Sequence, residues 1–158
     1  MSSNYNKPKK LILLLSCFFI LSLSYFAYAK YGGAKMMIAP IEPYNFSDTD
    51  IVDIYVNDKW GGEARAGQGA GGGICCTSIP EQWYPGLVAN IRWRKTEGKK
   101  WFTAVAPIPR YTESADLQVL FMENDTVSVY VMSYWPCSSK HPMPKTEQLC
   151  GKRKGNDN

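Results

Sequence analysis

Cysteine is the residue type whose spacing speaks most directly of chemistry in this 158-residue chain. Setting aside Cys17, which lies in an apolar N-terminal run, leaves Cys75, Cys76, Cys137 and Cys150. Four thiols can hold a zinc ion, form two disulfides or exchange with other thiols. Zinc-binding cysteines are usually paired across a gap of about two to four residues. Cys75 and Cys76 have no gap, and the only histidine, His141, stands before a proline in a loop-like stretch. No metal site is therefore expected. Two disulfides in an oxidising compartment are the better reading, with three possible connectivities. Successive side chains of an extended chain point to opposite sides. Cys75 and Cys76 are thus expected to take different partners, both reaching the C-terminal segment with Cys137 and Cys150. A bridge closing a loop of that length would stabilise the fold by about 4 kcal/mol in the chain-entropy model. Reversible thiol chemistry at Cys75-Cys76 is the redox alternative.

Other constellations lack the neighbours their chemistry requires. Gly67, Gly69 and Gly72 satisfy G-x-G-x-x-G, but a further glycine and Ile-Cys-Cys follow them where a dinucleotide site needs a helix. The reading is a glycine loop locked by the two cysteines, and no cofactor is expected. Asp48, Asp50 and Asp53 resemble a calcium loop without its glycine or its closing glutamate, so they read as a solvated turn. There is no G-x-S-x-G elbow and no H-E-x-x-H pair, and His141 has no evident partner in the sequence. The chain is therefore read as a binding protein without a catalytic set or a small-molecule substrate. Trp60, Trp83, Tyr84 and Trp135 stand next to Gly, Pro or Cys. Aromatics so placed either anchor an interface or cap a small core. Trp83 and Tyr84, in EQWYPG, are the foremost candidates for partner contact, with Trp60 and Trp135 beside them.

These residues need a compartment and a scaffold. MSSNYNKPKK is cationic, and Leu11 to Phe26 carries no charge. That order is the export pattern. Ala27-Tyr28-Ala29 fits cleavage before Lys30; an uncleaved inner-membrane anchor is the alternative, and Leu14-Leu15-Ser16-Cys17 is a poorly placed lipoprotein box. Each fate puts the remainder in the periplasm. Residues 1–29 are thus signal peptide or anchor, 30–43 linker, 44–150 a β-rich domain and 151–158 a polar tail. The formal charge is +4, but without Lys7, Lys9 and Lys10 fifteen basic residues face fourteen acidic ones. So balanced a domain has little reason to bind nucleic acid. The one basic run, Lys152-Arg153-Lys154, lies in the tail.

Strand signals dominate the domain. Ile51 to Val56 ends at the turn-forming Asn57-Asp58, after a proline-containing extended lead-in, IAPIEPYNFSDTD. KWGGEARAGQGAGGG is too rich in glycine for a helix or a sound strand. From Leu87 to Arg94 the period is two: Leu87, Ala89, Ile91 and Trp93 line one face, with Val88, Asn90, Arg92 and Arg94 on the other. Trp101 to Ala106 is another strand, and Leu117 to Glu123 and Thr126 to Tyr134 flank a hairpin at Glu123-Asn124-Asp125. Short strands without an amphipathic helix predict a mainly β domain, a small disulfide-stapled antiparallel β-sandwich or open barrel.

The order of these pieces resembles the bacterial family called domain of unknown function 3304. The resemblance rests on Tyr44-Asn45-Phe46 leading to DIVDIYVND, then Trp60-Gly61-Gly62, GGGICC, IPEQWYPGL and NIRWRK. It continues through Pro107-Ile108-Pro109-Arg110-Tyr111, LQVLFMEND and Lys140-His141-Pro142. The resemblance implies an exported protein, of a kind often encoded beside type VI secretion phospholipase effectors, and hence an immunity protein whose partner is a protein toxin. This chain departs from the lipoprotein-like members in lacking a well-placed lipobox. A structural or envelope-assembly role and a thiol-redox enzyme are the rival readings.

Overall fold

The computed structural model describes residues 7–31, 33–68, 74–96, 98–145 and 150–151. Gly69, Gly72, the first six residues and the Lys152-Arg153-Lys154 run lie outside them. The chain divides into two compact units, Met1–Lys35 and Met36–Asn158. The first holds one helix, α1, Lys7–Tyr31. Leu, Ile and Phe sustain it, and Ser22 and Ser24 spend their hydroxyls on the Phe19 and Ile20 carbonyls of their own helix. Among the described residues no helix is long and apolar enough to cross a membrane.

The second unit is mainly β. Its strands are β1 Met36–Asn45, β2 Ile51–Val56, β3 Lys59–Ala64, β4 Ile74–Pro80, β5 Val88–Lys95, β6 Trp101–Pro107, β7 Leu117–Phe121 and β8 Val127–Val131. They form two four-stranded sheets, β4-β1-β7-β8 and β3-β2-β5-β6, with no closed barrel. The core lies between them, where Ile41, Leu117, Val119 and Phe121 of the first sheet meet Ile54, Val56, Ile91 and Trp93 of the second. Trp93 stacks on Phe102 at 5.6 Å and meets Phe121 edge-on at 5.3 Å. The period read in β5 holds: Leu87, Ala89, Ile91 and Trp93 are buried, and Val88, Asn90 and Arg92 are exposed.

Three features depart from the sequence reading. Residues 36–43, read as linker and lead-in, belong to β1, an interior strand antiparallel to β4 and parallel to β7. Its prolines obscured it, and each sits where a missing N–H costs little. Pro40 is skipped in the pairing with β4, as the bulge between Ala39 and Ile41. Pro43 shares the orientation of Asn45, whose N–H turns away from β7 to the Gln68 carbonyl, on the side where β4 has already left the ladder. Second, Lys59–Ala64 is a strand despite Gly61 and Gly62. The glycines are what let β3 approach the first sheet. A Cβ on Gly61 would stand 2.9 Å from Ile41 Cγ2, and one on Gly62, at φ +87°, would overlap Ile74 Cδ1.

The third departure is the disulfide pairing. Cys75 bonds Cys76, and Cys137 bonds Cys150. Successive side chains point to opposite sides across a trans peptide; the Cys75-Cys76 peptide is cis, with Cα atoms 3.1 Å apart. Neither cysteine reaches the C-terminal segment.

Candidate functional site

The two outer faces of the sandwich differ. The first sheet's outer face is covered by residues 132–145 and by Cys150. All five residues of β7 are buried, because alternate side chains enter the central core and a second cluster. That cluster joins Tyr44, Leu120 and Met143 to Phe46, Met122, Tyr130, Trp135, Cys137 and Cys150. His141, only 2 % exposed, clamps it. Its Nδ1 accepts the Met143 N–H at 3.0 Å, which leaves the proton on Nε2 to be donated to Gln118 Oε1 at 3.1 Å. The Gln118 amide donates in turn to the Tyr134 carbonyl at 3.0 Å. Burial, with the nearby Lys145 charge, lowers the His141 pKa below its ordinary value. The histidine that looked partnerless in the sequence holds the C-terminal segment on the sheet.

One end of the sandwich is closed by the EQWYPG and PIPRY loops. Trp83 Nε1 donates to the Ile108 carbonyl at 2.7 Å, and the Ile108 N–H returns to the Leu87 carbonyl at 2.9 Å. The Tyr111 hydroxyl donates to the Pro80 carbonyl. Burial, reinforced by Tyr84, raises the Tyr111 pKa. Trp83 and Tyr84 both pack on the core, while Trp135 meets Tyr44 at 5.4 Å under the C-terminal segment. The acidic turn does not converge either. Asp50 accepts the Ala66 N–H at 2.8 Å, and Asp53, at φ 50° in a bulge of β2, pairs with Arg94. Buried Asn45 organises this corner. It accepts from the Ser47 N–H and hydroxyl at 2.9 and 2.6 Å and donates to the Thr49 and Ala64 carbonyls at 2.8 and 3.0 Å.

Of the four aromatics singled out in the sequence, Trp60 alone is strongly exposed, at 52 %. It belongs to the second sheet's outer face, which the described chain leaves bare. Strand register aligns Trp60, Tyr55, Arg92 and Thr103 in one row across all four strands. Trp101 (42 % exposed), Val105 (67 %) and Val88 (40 %) surround it. The Arg92 guanidinium carbon lies 4.8 Å from the Tyr55 ring centre and 4.7 Å from that of Trp101. Arg94 is neutralised by Asp53, and Lys95 by Asp125 at 2.5 Å. Arg92 has no carboxylate partner among the described residues. Beside it a cavity of about 300 Å³ is lined by Tyr55, Asp58, Asn90, Arg92, Thr103 and Val105. Aromatic rings, aliphatic surface and a fixed cation can hold a partner. The planar guanidinium, with its fork of donors, is suited to recognising a planar acceptor.

A family model described as "Protein of unknown function (DUF3304)" matches residues 44–129. The chain belongs to that family. The matched range runs from the end of β1 into β8, so it contains the bare face and the two capping loops but stops short of His141 and the Cys137–Cys150 bridge. No curated protein and no solved structure matches the chain.

Proposed function

We propose that the protein is an exported immunity protein that binds and inhibits a phospholipase-type toxin delivered into the periplasm by type VI secretion. The observation that carries this reading is the bare second-sheet face, where Trp60, Trp101 and Val105 are exposed on the same face as Arg92. Such a composition is that of interface hot spots. A sandwich whose other face is already covered and stapled offers it with little ordering cost on binding. The cationic start and apolar run of the N-terminus support export, and the family resemblance supports the toxin as partner.

The test is a challenge between sister cells. Deleting the gene should sensitise cells to phospholipase-dependent killing by parental attackers. The full chain should restore survival, and a chain carrying W60A, R92A and W101A should not, although it accumulates normally. Full resistance of the deletion strain would sink the proposal. The half-exposed Cys75–Cys76 bond favours a second reading, thiol exchange. C75S/C76S rescuing survival as well as the native chain would remove it.

A further inference from the structure

Charge is distributed unevenly between the sheets. The strands of the second sheet carry Lys59, Arg92, Arg94 and Lys95 against Asp53 and Glu63, whereas those of the first carry no cation and one acid, Glu42. Of those second-sheet cations, Arg92 lines the cavity and forms no ion pair with a carboxylate among the described residues. Tyr55 and Trp101 cover the guanidinium with their rings and fix its orientation, leaving its N–H groups as donors. Asn90 and Thr103 add an amide and a hydroxyl to the same lining, and Asp58, on the β2–β3 turn, adds an acceptor.

We propose that this cavity receives an Asp or Glu side chain from an apolar-flanked acidic segment of a protein partner. The carboxylate pairs with Arg92, and a backbone N–H of the same segment donates to Asp58. Aliphatic or aromatic neighbours of that residue lie on Trp60, Trp101 and Val105. The acceptor at Asp58 separates a peptide from a phosphate group: the oxygens of an ionised phosphodiester have no hydrogen to offer it. A peptide carries both a carboxylate and an N–H donor. The assignment rests on the bare face being a docking surface for a protein.

The test uses the full chain in nonionic-detergent micelles with 15N-labelled indoles, the Trp60 and Trp101 signals being assigned with W60F and W101F. The probes are acetyl-Leu-Glu-Leu-amide, its Gln counterpart, and micelles doped with phosphatidylglycerol. The Glu peptide should move the Trp101 and Trp60 signals with an affinity at least about tenfold above the Gln peptide, equivalent to roughly 1.4 kcal/mol. A charge-assisted pair at a guanidinium accounts for a difference of that size. R92Q should bring the two peptides within about twofold, and R110Q, at an exposed arginine off this face, should leave the preference intact. Equal response to both peptides, no response to either, or a response to phosphatidylglycerol alone would overturn the carboxylate assignment. The titration contains no toxin, so its failure leaves the inhibitor reading to be decided by the challenge between cells.

Discussion

Replacing His141 separates the contributions of its two ring nitrogens. In His141→Ala the buried Met143 N–H and Gln118 Oε1 both lose their partner. Each buried polar group left unpaired costs about 1–3 kcal/mol. The ring also packs edge-on against Tyr130 at 4.7 Å, and its removal leaves a cavity with a further cost of roughly 1 kcal/mol. The total is about 4 kcal/mol, a large share of the roughly 5–15 kcal/mol that holds a domain folded. His141→Asn keeps an acceptor where Nδ1 stands, and His141→Gln keeps a donor where Nε2 stands. Each should cost about half as much, near 2 kcal/mol. The assay is urea unfolding followed by tryptophan fluorescence. With an m-value of about 2 kcal/mol/M, the alanine variant's midpoint falls by about 2 M.

The same residue predicts the pH dependence. The folded pKa of His141 lies below the ordinary 6.5, so at acidic pH the unfolded chain takes up a proton that the folded chain resists. The neutral ring's stabilisation is fully present above about pH 6.5 and is lost as pH falls from there towards the folded pKa, at no more than about 1.4 kcal/mol per pH unit. Burial, and after it the Lys145 charge, opposes protonation. His141 is the chain's only histidine, so the gap in stability between the native chain and His141→Gln should narrow from pH 7.5 to 5.5. An alanine variant within about 1 kcal/mol of native, or a gap that is constant or widens on acidification, would refute the tautomer and the clamp.

Asn45→Ala strips four hydrogen bonds from a buried corner and should destabilise by about 3 kcal/mol in the same assay. Gly62→Ala meets both a positive φ and Ile74; a loss of about 2 kcal/mol or more is expected, against a near-neutral effect at Gly33, where nothing stands within 4 Å. Non-reducing tryptic mapping should recover Cys75 and Cys76 bonded within one peptide, and Cys137 joined to Cys150. A peptide linking Cys75 or Cys76 to Cys137 would disprove the pairing. Cys137→Ser with Cys150→Ser opens a loop of sequence separation 13, with an expected loss of about 3 kcal/mol.

What the sequence by itself determined were features whose cause is local. Alternation in β5 records burial on one face, and a reader can count it from Leu87 to Arg94 without knowing what lies opposite. The β7–β8 hairpin, with Asp125 at φ 56° in its turn, is legible in Glu123-Asn124-Asp125 for the same reason. The mainly β class and the family followed from many such local signals together. Tertiary structure decided everything that depends on a distant neighbour. β1 is a strand because β4 and β7 flank it, although its own residues are apolar on both faces and broken by prolines. β3 is a strand because Gly61 and Gly62 admit Ile41 and Ile74 of the other sheet. Trp83, Tyr84, Trp135 and Trp60 are alike in sequence context, but three pack on core clusters and one faces outward, a difference set by what folds over each. Arg92 became conspicuous only when register placed Trp101 of the neighbouring β6 and Tyr55 of the distant β2 around it. Burial and pairing of this kind are sums over neighbours brought together by the fold, and a linear sequence does not say which neighbours those are.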